Sequence, residues 1–339
     1  MDPKEMIEKL SAFIRSEGRF KTVTIENLGR MPGGASREIW SFDATMERDG
    51  AATKRALVLR RDPGAHKIDT NRRQEFLVLR AAHDQGVPVP EVLWLGEDPA
   101  VLGAAFFIME KVDGETIARR LLRDDIYATA REVMPAQLAE ILAGIHRIDF
   151  AKYKLDFLAK PGANAAETEV RRYEENFRKL ALEPHPAFEL AFRHLYERIP
   201  KTPRTTLVHG DYRIGNVIFG PDGVRSILDW ELSHLGDPME DLGWMCVRAW
   251  RFGADHNPVG GLGTRDAFFA AYERASGIKV DPETVKFWEV FGNLRWGIIT
   301  ISQARTYIDG LVPSVELASI GRRTAETELE LLNLIEWGG

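Results

Sequence analysis

The stretch from Thr206 to Trp244, TLVHGDYRIGNVIFGPDGVRSILDWELSHLGDPMEDLGW, constrains the chain more than any other. Asn216-Val217-Ile218-Phe219 is an apolar run, Gly220-Pro221-Asp222-Gly223 is strong turn chemistry, and Val224 to Asp229 is a second apolar run, so the segment predicts a β-hairpin. Pairing its arms about the turn puts Asn216 roughly opposite Asp229 at the open end, where neighbouring strands lie about 5 Å apart. Asp211 enters the same end from the loop before, after Gly210 has freed the backbone. An amide oxygen and a carboxylate converging beside another carboxylate suit a hard cation such as Mg2+, with the remaining acid free to face a substrate. The plainer alternative is a hairpin with a polar mouth; three such residues together favour the metal.

At 339 residues and 44% hydrophobic, the chain is long enough for two domains or one large one and can bury a real core. A net charge of -6 gives no global attraction to nucleic acid or to an anionic membrane, and neither is expected as a partner. The single cysteine, Cys246, excludes an internal disulfide framework and any CxxC motif, and its place in the apolar run after Asp241 reads as a buried thiol. The N-terminus MDPKEMIEKL is charged and helical, and no apolar run approaches a membrane span. These features lead to the expectation of a soluble cytoplasmic protein.

Asp2-Pro3 starts a helix whose Ile7, Leu10 and Ile14 share a face, with Gly18 as its stop. Val23 to Leu28 and Ile39 to Phe42 read as strands around Met31-Pro32-Gly33-Gly34-Ala35-Ser36, which is either an ordinary turn or a phosphate cover made of backbone amides and the Ser36 hydroxyl. After an Asp49-Gly50 turn, ALVLRR from Ala56 to Arg61 is a strand ending in two cations. A helix from about Thr70 to Gln85 carries Glu75, and Val92 to Leu95 and Ala105 to Met109 supply two more strands. About five antiparallel strands and one inserted helix thus make a small lobe over residues 1–109. The character of the chain changes at 110–115.

From Thr116 onward helices dominate, including Pro135 to Ile148, Arg171 to Leu180 and Pro186 to Ile199. Beyond the hairpin, Pro238 to Trp250, Arg265 to Ala275, Asp281 to Tyr307 and Val315 to Glu336 read as further helices. The stretch Lys286 to Thr306 is apolar nearly all round, so Arg295 in its middle needs a partner, and a carboxylate at a helix start is the expected one.

Glycine turn, strand cation, helix Glu75, lobe-joining strand, His209-Gly210-Asp211 with Asn216, and Ile227-Leu228-Asp229-Trp230-Glu231 on a hairpin follow one another in a recognisable order. The order resembles the protein-kinase-like fold, and more closely the aminoglycoside phosphotransferase and choline kinase-like small-molecule kinases. The phrases LVLRR, LAEILAGIHRID and DWELSHLGDPMEDLGW look most like the acyl-CoA-dehydrogenase-associated phosphotransferase subgroup. The resemblance covers nearly the whole chain and implies a bilobal α+β fold. Its N-lobe, residues 1–109, is a small antiparallel β-sheet that binds nucleotide; 110–115 is a hinge linker; 116–339 is a mostly helical C-lobe with the catalytic hairpin and the metal and acceptor sites.

Carried over by position, Asp211 matches the acid that orients the acceptor hydroxyl and takes its proton, and Asn216 and Asp229 match the metal ligands. Glu110 and Val112 match the linker that binds adenine, Gly33, Gly34 and Ser36 match the phosphate-covering loop, and Asp241 and His209 match supports of the catalytic loop. Two departures stand out. Arg60 occupies the place of the usual strand lysine beside Glu75, and alternation lets only one of Arg60 and Arg61 serve. Seven residues separate Asp229 from Asp237, too few for a long regulated loop or a docked peptide. The resemblance therefore implies ATP- and Mg2+-dependent phosphoryl transfer to a hydroxyl of a small molecule by a monomer or homodimer. The alternative is a nucleotide-binding regulatory pseudokinase, which the arginine would favour.

Overall fold

The structure, a computed structural model, describes residues 2–31, 38–61 and 72–336. Two compact units divide the chain, Met1–Asp113 and Gly114–Gly339.

The first unit begins with α1 (Pro3–Gly18), whose Met6, Leu10 and Ile14 fall at four-residue spacing and are buried. The left-handed residue that ends it is Arg19, not Gly18. Gly18 stays inside the helix because a side chain there would run into the Phe20 ring. Strands β1 (Thr22–Arg30), β2 (Glu38–Arg48), β3 (Ala51–Arg61), β4 (Val92–Gly96) and β5 (Phe106–Glu110), with helices α2 (Arg72–Asp84) and α3 (Pro99–Leu102), complete the unit. The five strands form one antiparallel sheet in the order β1-β2-β3-β5-β4. Strand alternation sorts β3 between two layers. Leu57 and Leu59 join Phe42, Phe106 and Ile108 in the core beneath α1, while Arg60 turns to α2. Arg61, on the opposite face, pairs with Glu38 and donates to the Leu102 carbonyl.

The second unit opens with α4 (Ala118–Arg123), α5 (Ala128–His146), α6 (Ala165–Leu180) and α7 (Pro186–Glu197). Pro135 lies inside α5 and does not start it. A proline removes one backbone donor, and buried Ala130 and Met134 ahead of it carry the helix through. Two short ladders follow. Strand β6 (Thr206–Val208) pairs antiparallel with β9 (His234–Gly236), and β7 (Val217–Gly220) pairs with β8 (Gly223–Ile227) as the hairpin. The chain crosses between the ladders twice, through the loop with Asp211 and through the turn with Asp229.

Helices α8 (Met239–Cys246), α9 (Arg265–Ser276), α10 (Pro282–Ile308), α11 (Val315–Ile320) and α12 (Thr324–Glu336) close the unit. The expected helix through Trp250 ends at Cys246, followed by a separate turn at Arg248–Trp250, and the last expected helix is broken between α11 and α12. The 27-residue α10 is buried through its centre and meets α8 at Gly243, where a Cβ would stand 2.5 Å from that of Trp288. Of the tryptophans, Trp230, Trp244, Trp250 and Trp288 are core, none more than 4% exposed. Cys246 is fully buried; burial, then the charge of Glu289, pushes its thiol up to about 12. No helix among the described residues is long and apolar enough to cross a membrane.

Candidate active site

The loop after β6 delivers Asp211 half-buried and heavily hydrogen-bonded. Its Oδ1 accepts from the Trp244 indole at 2.8 Å and from Arg213 Nε at 2.9 Å. Its Oδ2 accepts from Asn216 Nδ2 at 2.6 Å, and the same nitrogen reaches the Asp211 carbonyl at 3.0 Å. Asn216, 2% exposed, ends a short 3-10 turn and does not begin the strand. With its nitrogen committed, its Oδ1 is the atom that remains to ligate a cation.

The residue opposite Asn216 in the hairpin is Leu228, one short of Asp229. A bulge between Ile218 and Phe219 shifts the register, so the Leu228 N–H donates to the Asn216 carbonyl at 2.8 Å. The Leu228 carbonyl accepts from His209 Nε2 at 3.0 Å. Leu228 is thus tied to both ends of the Asp211 loop, and Asp229 follows it in the left-handed region at φ 60°, which Asp tolerates better than most residues.

His209 Nε2 faces a carbonyl and must donate, while Nδ1 accepts the Asp211 N–H at 3.1 Å. One donor and one acceptor define the neutral ring. Burial likewise lowers its pKa, outweighing the pull of Asp241, Asp211 and Asp229. Asp241, fully buried, accepts from the His209 N–H at 2.8 Å, the Gly210 N–H at 2.9 Å and His146 Nε2 at 3.1 Å. Burial would raise this carboxyl, but the hydrogen bonds it accepts from His146 and from the His209 N–H hold it below the usual range. His146 in turn meets the Tyr272 hydroxyl at 2.7 Å.

His234 is the opposite case. Nδ1 faces the Leu232 carbonyl and Nε2 faces Glu240, both at 3.0 Å, so both nitrogens donate. Burial opposes the charge, yet Glu240 and Glu169 raise the pKa to about 9. Arg295 donates to Glu240 at 3.0 Å, and Glu240 lies in the first turn of α8, the helix-start carboxylate expected from sequence. Arg305 is occupied by Asp309 and the Leu180 carbonyl.

In the first unit, Arg60 Nη1 lies 2.7 Å from Glu75 Oε1, both side chains are buried, and Arg72 pairs with the other oxygen. Glu110 ends β5 with its N–H on the Glu91 carbonyl, and Val112 follows in irregular chain. Gly33, Gly34 and Ser36 lie outside the described residues.

Asp211, Asn216 and Asp229 are therefore neighbours in the second unit, and Arg60 and Glu75 are neighbours in the first. Sequence reasoning missed Arg213 and His146. Arg213 sits inside the HGDYRIGN motif and was open to notice; His146 looks like any histidine on an apolar helix face.

Residues 37–288 match the model of the phosphotransferase enzyme family, and the chain belongs to that family. Among solved structures, that of a Ralstonia eutropha protein assigned to the aminoglycoside phosphotransferases superposes with a TM-score of 0.78 at 25% identity, covering 97% of this chain and 98% of that one. The ternary complex of aminoglycoside phosphotransferase APH(4)-Ia with AMP-PNP and hygromycin B shares the fold, with a TM-score of 0.60 at 15% identity over 98% of this chain and 99% of that one. Among curated proteins, acyl-CoA dehydrogenase family member 10 of Mus musculus is 35% identical over 57% of this chain, and family member 11 of the same species is 32% identical over 62%. The matches span 18% and 29% of those two relatives. The fold is kinase-like α+β.

Proposed function

We propose that the protein transfers the γ-phosphoryl group of ATP, with Mg2+, to a hydroxyl of a small metabolite. One observation carries this reading: Asp211 and Asn216 are hydrogen-bonded to each other at the mouth of a hairpin whose other arm leads through a doubly tied Leu228 into Asp229. The amide oxygen of Asn216 and the carboxylate of Asp229 form a hard-oxygen donor pair that fits Mg2+. When bound, the metal neutralises charge on the nucleotide phosphates. The chain's own work is alignment. Asp211 receives the acceptor hydroxyl, holds it in line and takes its proton late, while Trp244, Arg213 and Asn216 keep the carboxylate from turning.

In this reading residues 1–109 bind the nucleotide, with Arg60, oriented by Glu75, and the loop of Gly33, Gly34 and Ser36 on its phosphates. Glu110 and Val112 in the 110–115 linker meet adenine, residues 116–339 take the acceptor, and His209 and Asp241 support the loop. The AMP-PNP in the APH(4)-Ia complex supports ATP as the donor. The single cysteine supports a cytoplasmic setting, and a monomer or homodimer suffices for the reaction.

For the acceptor, Arg213 is the informative residue. Its guanidinium lies 4.5 Å from the Trp250 ring with Nε on Asp211, and its terminal nitrogens have no partner among the described residues. A cation beside the base disfavours a polycationic aminoglycoside and favours a hydroxyl compound with an oxygen acceptor close by. The curated relatives are named as acyl-CoA dehydrogenase family members, which supports placing acyl thioesters that carry a hydroxyl among the candidates.

A coupled ADP-release screen over aminoglycosides, amino alcohols, sugars and hydroxyacyl thioesters tests the reading, with Asp211→Ala and Asp229→Ala as folded controls expected to lose transfer. Substantial transfer by purified Asp211→Ala would overturn the assignment. Arg60 in the lysine position favours the second reading, a regulatory pseudokinase, which predicts ATP binding without acceptor-dependent ADP release.

A further inference from the structure

Arg295, in the middle of α10 and 1% exposed, serves two oxygens on different elements. Nη1 donates to Glu240 on α8 at 3.0 Å, and Nη2 donates to the Gly210 carbonyl at 2.8 Å. A buried guanidinium needs acceptors beyond its ion-pair partner, and the second one here is a main-chain oxygen of the catalytic loop. The Gly210 carbonyl belongs to the peptide that leads straight into Asp211. The other polar group of that peptide, the Asp211 N–H, is held by His209 Nδ1. Gly210 itself has φ +79° and the Leu232 carbonyl packed against it, so no side chain fits there.

The guanidinium is also fixed from its faces, 4.6 Å from the Trp244 ring centre and 5.3 Å from that of Tyr173. Trp244 donates to the Asp211 carboxylate. Arg295 therefore reaches Asp211 by two routes, through the main chain at Gly210 and through the Trp244 ring. Behind it, Glu169, His234 and Glu240 bring potential ligand atoms within 4.8 Å of one another. Arg172 pairs with Glu169, Arg295 with Glu240, and both nitrogens of His234 face acceptors. The cluster is a charge anchor for Arg295, each of its side-chain ligand atoms being engaged by a protein partner.

We propose that Arg295 is a positioning residue for phosphoryl transfer: it fixes the Gly210–Asp211 peptide, and through Trp244 the Asp211 carboxylate, without touching nucleotide or acceptor. The kinetic part rests on the function proposed above; the structural part does not. Arg295→Lys keeps a cation opposite Glu240 but loses the planar fork. In the full-length protein this variant should melt near the wild type and keep its KM for ATP within about threefold. Its kcat should fall about 10- to 100-fold, the usual cost of a slightly misplaced catalytic group, with the pH dependence of kcat unchanged in shape. Hydrogen–deuterium exchange should quicken in peptides covering 207–212 and stay unchanged in β7 and β8. Glu240→Gln, which weakens the anchor, should quicken the same peptides. A folded Arg295→Lys with wild-type kcat and wild-type exchange at 207–212 overturns the proposal, as does a loss of kcat that merely tracks loss of folded protein. If the wild type transfers no phosphoryl group to any acceptor, the proposed function fails and the exchange measurement alone decides the role of Arg295.

Discussion

His209 and His234 flank the hairpin along the chain and are held in opposite charge states by what their nitrogens face. His209 has its pKa depressed below 6.5, so its contribution to stability is present above that value and is lost as the pH falls through the folded pKa. His234 is raised to about 9, so its contribution is present below 6.5 and is lost as the pH rises through about 9. Imidazole resonances followed by NMR should show His234 titrating near pH 9 and His209 titrating below pH 6.5; the reverse order would contradict the hydrogen-bond assignment. Asp211, Asn216 and Asp229 were legible in the sequence because one motif carries them at short spacing. Asp241 and His209 stand in the same motif region and could be named as supports, but His146 from α5 behind Asp241 and Trp244 from α8 on Asp211 could not, since those pairings exist only after the helices pack. Arg60 belongs to the same scale. Arg60→Met leaves Glu75 paired with Arg72 and is expected to raise the KM for ATP about tenfold or more while the unit stays folded, as judged by circular dichroism.

Among the elements, α8 carries the largest share of the burden, because Glu240, Asp241 and Trp244 all project from it. Its closeness to α10 depends on Gly243. Gly243→Ala would press a methyl group onto the main chain of Trp288 and Glu289, and is expected to cost about 1–3 kcal/mol, read as a lower melting temperature in scanning calorimetry. An unchanged melting temperature would mean that the two helices separate easily. The hairpin was legible from its turn and apolar arms, but its register was not, because the bulge at Ile218–Phe219 leaves no mark in the hydrophobic pattern. The start of α5 was hidden for a different reason, since Pro135 looks like a first-turn residue when only its neighbours along the chain are known.

Across the whole molecule, the order of parts made the kinase-like fold readable from the sequence, since one five-stranded sheet fills the first unit and helices dominate the second. Each unit has its own core, the first built on α1 and the sheet, the second around α10. The proposed metal serves chemistry and not folding. Chelation with EDTA is therefore expected to abolish ADP release, with recovery on adding Mg2+, and to leave the melting curve unchanged; a large drop in melting temperature would assign the ion a structural part.

The one thiol gives this molecule a built-in clock. Cys246 closes α8, is wholly enclosed and is held protonated by its surroundings, with a pKa near 12. An alkylating reagent can reach it only when the packing around the end of α8 opens. The rate of its modification in native buffer therefore reports how often the helix bearing Glu240, Asp241 and Trp244 opens, with no label introduced. Gly243→Ala should make that clock run faster.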